Sequence, residues 1–276
     1  MTDRVWLITG CSAGFGRELA LAALAAGDQV MATARQPERL GDLVASGAGR
    51  ARAAPLDVTD DEQVSSAVAR TVAEFGRIDV VVNNAGHGSV GAVEELGLGE
   101  LRALMDVMFF GAVAVTKAAL PHLRAQGSGT IVQLSSMGGQ LSMPGFGAYC
   151  AAKFALEGLS EALAAEVAPF GIQVLIVEPG AFRTEFGGQR MHRSAMIDEY
   201  AVSTGPTRAA VDSMDGSQPG DPQKAARAIL EVLDCPDPPL RLALGSDAVD
   251  NIAAHHELLR SDLTRWEKLS RAVDFD

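Results

Sequence analysis

Val5-Trp6-Leu7-Ile8-Thr9-Gly10-Cys11-Ser12-Ala13-Gly14-Phe15-Gly16-Arg17-Glu18-Leu19-Ala20 reads in order as strand, glycine turn and helix. The four apolar residues at the start suit a buried strand, and Arg17-Glu18-Leu19-Ala20-Leu21-Ala22 has helical character. Glycines let a backbone come close to a phosphate, and the free N–H groups of the following helix point at the anion. Gly10, Ser12, Gly14, Phe15 and Gly16 are therefore candidate nucleotide contacts. The spacing is Thr-Gly-x-x-x-Gly-x-Gly, not the general Gly-x-Gly-x-x-Gly. By itself the element also allows a plainer reading, a strand-to-helix turn that binds nothing.

Outward from this turn, apolar runs and amphipathic stretches alternate. Candidate strands fall at 5–9, 29–34, 51–56, 78–82, 129–134, 172–177 and 240–245, with helical stretches near 14–26, 37–46, 60–75, 97–125, 148–168 and 222–233. That rhythm predicts a single doubly wound α/β domain over 1–276, a parallel sheet of about seven strands with helices on both faces. Residues 181–221 break the rhythm and are expected to form a substrate lid. Residues 246–276 form a C-terminal helical extension, where Leu258, Leu259, Leu263, Trp266 and Leu269 mark one apolar face. That face either covers the substrate pocket or blocks a second subunit interface.

Composition narrows the partners. A net charge of −12 argues against nucleic acid. No apolar stretch is expected to reach a membrane span, and no basic leader precedes an apolar segment. Cys11, Cys150 and Cys235 lack metal-ligand spacing, which points to a reducing, cytoplasmic setting and to no metal.

The chemistry centres on Tyr149-Cys150-Ala151-Ala152-Lys153, with Ser135-Ser136 upstream. Residues four apart on a helix lie one turn above the other. A free tyrosine has a pKa of about 10, and a neighbouring ammonium favours its phenolate, so the pair makes a proton donor usable near neutrality. At the end of the second strand, Ala34 stands where a carboxylate would bind the ribose 2′-OH of NAD, and Arg35 follows. Arg offers several donors to a 2′-phosphate, which favours NADP(H) over NAD(H); the alternative is that Arg35 caps a surface turn.

Taken together, the chain resembles the short-chain dehydrogenase/reductase family in its compact one-domain branch. Five blocks stand in the family's order: Thr9 to Gly16, Asp57-Val58, Asn83-Asn84-Ala85-Gly86, Ser136 with Tyr149 and Lys153, and Pro179-Gly180. The resemblance covers residues 5 to about 245 and implies a Rossmann-type fold and hydride transfer between a nicotinamide and a carbonyl or secondary alcohol. It implies Tyr149 as general acid/base and Ser136, thirteen residues upstream, as the group holding the substrate oxygen. Lys153 would lower the Tyr149 pKa and bind the nicotinamide ribose. Asp57 resembles the residue that meets the adenine edge, or else forms an Asx turn. Asn83 is expected to be structural. Asn84, Ala85 and Gly86 would shape the space for the cofactor, and Pro179-Gly180 would lie beside the nicotinamide. Thr184 resembles the carboxamide-binding residue, with a helix N-cap as the alternative.

One departure stands out. The family's Asn-x-x-Gly pattern, which supports a water-linked proton path to the lysine, reads Met108-Phe109-Phe110-Gly111 here. A thioether cannot replace an amide. That departure is the basis of an alternative reading, a nucleotide-sensing or partner-binding protein with weakened catalysis. A further alternative, an epimerase or dehydratase of the extended branch, is disfavoured by the glycine spacing and the lack of a large C-terminal domain.

Expected pocket lining comes from His87, Ser89, Val90, Met137, Leu141, Met143, Phe146, Phe182, Phe186, Met191, Met196 and Tyr200, a set suited to a lipophilic small molecule. Residues 145–149 and 179–186 look most like hydroxysteroid and retinol dehydrogenases. His87 reads as a loop histidine, and His255-His256 as helix surface. The stretches 97–125 and 148–168 commonly form a dimer interface in this family, so a homodimer is expected.

Overall fold

The computed structural model describes residues 3–188, 191–214 and 216–275. Gln189, Arg190 and Asp215 of the expected lid lie outside the described residues. The strands are β1 (Val5–Ile8), β2 (Gln29–Ala34), β3 (Ala51–Pro55), β4 (Val80–Asn83), β5 (Ser89–Val90), β6 (Gly129–Leu134), β7 (Ile172–Pro179), β8 (His192–Arg193) and β9 (Arg241–Leu244). The helices are α1 (Gly14–Ala25), α2 (Gly41–Ser46), α3 (Asp61–Phe75), α4 (Leu98–Met105), α5 (Gly111–Gln126), α6 (Gly147–Val167), α7 (Ala201–Met214), α8 (Pro222–Leu233) and α9 (Ser246–Arg271).

Among the described residues, seven strands form one all-parallel sheet in the order β3-β2-β1-β4-β6-β7-β9, with β5 and β8 paired apart from it. The strand order reverses between β1 and β4. In such sheets the loops leaving the two strands at the reversal diverge to opposite faces and open a crevice at their C-terminal ends. The glycine turn leaves β1 there, and Asn84-Ala85-Gly86 leaves β4.

Alternation along the strands feeds two cores. Trp6 and Ile8 point to one face with Val82, Val132 and Val177, under α1 and α8 through Leu19, Leu24 and Ile229. Leu7 and Val81 point to the other with Ile131 and Ile176, under α3, α5 and α6 through Val68, Leu123 and Leu163. Helix ends follow local chemistry. The Asp60 carboxylate accepts from the Glu62 and Gln63 N–H groups at the start of α3, and Gly76 at φ +81° closes it.

The expected 97–125 helix is Leu98–Gln126, interrupted by a π-turn at Asp106–Phe110. By length and composition this helix could cross a membrane, contrary to the expectation that no stretch would. Leu104, Met108, Val115, Ala119 and Leu123 of this helix are buried in the domain, while Leu98 and Phe110 are exposed.

Candidate active site

The cleft at the strand reversal has a volume of about 1580 Å³. A single drug-sized ligand needs roughly 300–1,000 Å³, so there is room for a dinucleotide and a substrate together. Gly10, Ser12, Gly14 and Phe15 line one end with Arg35, Arg39 and Asp57; Ser136, Tyr149, Lys153, Pro179, Gly180 and Thr184 line the middle. Two sequence-distant groups of residues thus meet on one surface.

The glycine turn fits an anion. Gly10 and Gly14 have φ of +73° and +58°, a region that L side chains rarely adopt. A Cβ on Gly16 would lie 2.7 Å from the Gly10 carbonyl and collide with the Asn84 amide. Ala13, at the N-cap of α1, has no side chain to cap the first-turn N–H groups, leaving donors for a phosphate. Asn84 Nδ2 donates to the Thr9 and Gly10 carbonyls at 2.8 and 3.2 Å, so its amide braces the turn from behind. Asn83 Nδ2 donates to Thr116 Oγ1 and Gln133 Oε1, both at 2.9 Å, a buried structural link as expected. The Phe15 ring packs on Phe182 with centroids 5.1 Å apart, joining the turn to the 181–221 segment.

Arg35 is exposed at the mouth beside Arg39, which the sequence reading missed. Asp57 Oδ1 closes an Asx turn onto the Thr59 N–H and hydroxyl at 3.0 and 2.7 Å while the residue still lines the cleft. Thr184 Oγ1 accepts from the Phe186 N–H at 3.3 Å, a local turn contact made from the cleft wall. Ala181 N–H donates to Asp247 Oδ2 at 2.7 Å, so the first turn of α9 pins the Pro179-Gly180-Ala181 bend.

Ser136, Tyr149 and Lys153 converge at the centre. Ser136 Oγ accepts from the Gly138 N–H at 3.0 Å and hydrogen-bonds the Tyr149 hydroxyl, which favours the phenolate. Lys153 lies one turn on along α6, with Nζ 5.8 Å from the Tyr149 ring centroid. Its ammonium donates to the Leu134 carbonyl at 2.5 Å. Burial lowers the Lys153 pKa to about 8, against the opposing pull of the Glu157 charge. Burial drives the Tyr149 phenol well above its ordinary value, and the Ser136 hydrogen bond opposes that rise. The lysine spends its short hydrogen bond on the backbone of β6.

Met108 is buried within the π-turn, where the Gly111 N–H reaches back five residues to the Asp106 carbonyl. Its thioether fills the space beside Gly86, 3.2 Å from where a Cβ there would sit.

Of the expected substrate lining, His87, Met137, Met143, Phe146, Phe182, Phe186 and Met191 face the cleft. Ser89, Val90, Leu141, Met196 and Tyr200 do not. Ser89 and Val90 are buried in the pairing of β5 with β8, Met196 is exposed, and Tyr200 donates to Glu94 Oε2 at 2.6 Å. The 181–221 segment instead contributes Pro206, Thr207, Ala210, Val211 and Met214 from α7, a helix absent from the expected helical stretches. No residue of α9 lines the cleft, and Leu258, Leu259, Leu263, Trp266 and Leu269 are exposed.

Comparison with known proteins agrees with this geometry. The family model described as short chain dehydrogenase matches residues 4–194. A short-chain dehydrogenase from Streptomyces avermitilis is 54% identical in sequence and superposes with a TM-score of 0.93, covering 98% of this chain and 100% of that one. Oxidoreductase BOA17 of Botryotinia fuckeliana is 43% identical over 98% of both chains. Human retinol dehydrogenase 8 is 37% identical over 86% of this chain and 80% of its own. The chain belongs to the short-chain dehydrogenase/reductase family and is an NAD(P)-dependent oxidoreductase acting on CH–OH groups and the corresponding carbonyls.

Proposed function

We propose that this oxidoreductase prefers NADP(H) and acts on a lipophilic ketone or secondary alcohol, with Tyr149 as general acid and base. The observation that carries the reading is the convergence of Ser136, Tyr149 and Lys153 between the glycine turn and an apolar wall of Met143, Phe146, Phe186 and Met191. The bound nicotinamide supplies or accepts the hydride. Reduction places developing negative charge on the carbonyl oxygen, which needs a proton and a fixed hydrogen-bond donor. The Tyr149 hydroxyl gives the proton, and Ser136 holds the same oxygen. A phenol whose pKa is raised by burial keeps its proton until that charge forms. Lys153 stands one helical turn away as the ammonium that steadies the phenolate left behind.

Ala34 at the end of β2 and the pair Arg35 and Arg39 at the mouth support the NADP(H) preference, since a 2′-phosphate gains donors and meets no carboxylate there. The apolar wall and the likeness to a retinol dehydrogenase support a lipophilic substrate. The three free thiols support a cytoplasmic setting. Exposed Phe110 and Phe154, on the stretches expected to pair, support a homodimer.

Titration with NADPH and NADH, followed by fluorescence, tests the cofactor reading. Arg35→Ala should weaken NADPH binding by about tenfold and leave NADH nearly unchanged. Equal binding of both cofactors by the unaltered protein would overturn the preference. Turnover of a panel of lipophilic ketones that Tyr149→Phe abolishes, with cofactor binding retained, tests the chemistry.

A further inference from the structure

Behind Lys153, away from the cleft, lies a cluster that the mechanism above does not use. Glu157 is one turn further along α6, and Glu178 is the residue before Pro179 on β7. Both carboxylates are almost wholly buried, at 3% and 2% exposure. They share two donors. Gln140 Nε2 donates to Glu157 Oε2 at 2.6 Å and to Glu178 Oε1 at 2.9 Å. Arg241 Nε reaches the same two oxygens, each at 3.2 Å. The other Glu157 oxygen accepts from Ser135 Oγ at 2.5 Å, and Gly139 packs so closely that a Cβ there would collide with it.

Two carboxylates held against one another out of water cannot both stay ionised without a large cost. Arg241 lies between them but also reaches Glu161 at 2.9 Å, so its one positive charge is divided among three acids. The groups facing the pair are therefore Lys153 and Glu161 on α6, Arg241 on β9, and Gln140 and Ser135 from the segment after β6. On α9, His256 meets Gln140 Oε1 at 3.1 Å, and Asp247 is turned to the Ala181 N–H instead. Lys153 itself has no carboxylate within ion-pair distance among the described residues. The charge that acts on it is that of Glu157, across one helical turn.

We propose that Glu157 and Glu178 share a single proton and act as the positioning pair that sets the charge of Lys153. The inference deepens the hydride-transfer reading and rests on it. An ionised Glu157 holds the buried ammonium protonated against the loss of hydration. Ser135 couples the same carboxylate to the strand end that carries both the Leu134 carbonyl and Ser136. Burial and the Glu157 charge together hold the Glu178 pKa up at about 7, so the pair changes charge near neutrality. Proton supply to the lysine is then governed from behind, by a cluster that does not include Met108.

The test is carboxyl- and lysine-resolved NMR on the full chain as a function of pH, with Glu178→Gln and Glu157→Gln beside it. The chain has four lysines, so the Lys153 signal is identified by its loss in Lys153→Met. One glutamate carboxyl carbon should titrate with a midpoint near 7 and should disappear from that range in Glu178→Gln. Glu157→Gln should lower the proton affinity of Lys153 by about tenfold, and Glu157→Asp should restore part of it. The limb of the kcat/KM–pH profile set by Lys153 should move by the same amount, while NADPH binding at neutral pH stays intact. Glu178→Gln preserves shape and hydrogen-bond reach, and it decides the matter even if Glu157→Gln does not fold: it should shift Lys153 in the same direction by less. Ordinary titration of both carboxyls, or a Lys153 signal indifferent to both substitutions, would overturn the proposal. These signals need no turnover, so failure of the hydride-transfer reading would show separately, as an inactive protein with an intact proton-sharing pair.

Discussion

The Phe186 ring meets the Tyr149 ring edge-on, with centroids 5.4 Å apart and an interplanar angle of 65°. The 181–221 segment therefore rests directly on the residue proposed to move the proton. Phe146 makes a similar contact at 6.1 Å, so two aromatic rings meet the phenol. This enclosure is what raises the Tyr149 pKa.

Phe186→Ala should admit water to the phenol, lower its pKa and move the limb of the pH–rate profile set by Tyr149 toward lower pH. KM for a lipophilic substrate should rise more than kcat falls, because an apolar wall has been removed and the proton donor kept. Steady-state kinetics across pH checks both statements.

Tyr149→Phe should reduce kcat by about 10³-fold, within the range for losing a general acid. Ser136→Ala should cost about tenfold to a hundredfold, since one hydrogen bond to the oxygen and to Tyr149 disappears. Cofactor titration should change little in either variant. A large loss of cofactor binding would mean that the fold had been damaged.

The 181–221 segment is also tied down at a distance from the chemistry. Glu95, before α4, accepts from the Ile197 and Ala92 N–H groups at 2.9 and 2.6 Å and pairs with Arg208 of α7 at 2.7 Å. The Ile197 N–H is the largest cause of a Glu95 pKa lowered from 4.5 to about 2, with Ala92 and Arg208 adding to it. A carboxylate depressed in the folded state contributes stability that is complete above its unfolded value and is lost as the proton returns. The latch should hold above pH 4.5 and release as pH falls toward about 2. Hydrogen exchange at the Ile197 amide, taken relative to its intrinsic rate at each pH, should quicken across that window. Glu95→Gln should make it about tenfold faster at neutral pH and remove the dependence.

Met108→Asn should destabilise the domain by about 2 kcal/mol, because the site is apolar and one amide there would lack partners. Chemical denaturation measures this. The π-turn forms with methionine at this position, so the bend between α4 and α5 does not depend on an asparagine side chain.

Gly16→Val should abolish cofactor binding and also destabilise the domain by about 1–3 kcal/mol. Even the first carbon would strike the Asn84 amide and the Gly10 carbonyl, which are the brace and the body of the turn. Isothermal titration together with thermal denaturation separates the two effects.

Much of the site is readable along the chain because its parts are local. The turn from Thr9 to Gly16 is contiguous, and its need for glycine is a property of the backbone. Tyr149 and Lys153 are aligned by helical periodicity alone, and the alternation of Trp6, Leu7 and Ile8 assigns two core faces from a period of two. The lid was harder. Ala201 to Met214 carries Gly205 and Pro206, which read as a loop, yet it is helical and packs through Thr204 and Val211. Tertiary packing overrode weak local propensity there.

The order of strands, glycine turn and helices, and the residue types at the reacting centre, follow from short-range physics, because backbone conformation and side-chain direction repeat over a few residues. The grouping of Gln140, Glu157, Glu178 and Arg241 has no such period. Each stands on a different element, and the parallel packing of β6, β7 and β9 under α6 is what brings them within hydrogen-bond reach. The same holds for the charge of Lys153 and the proton on Tyr149, since burial shifts both and Glu157 opposes it at the lysine, and these are properties of the assembled fold.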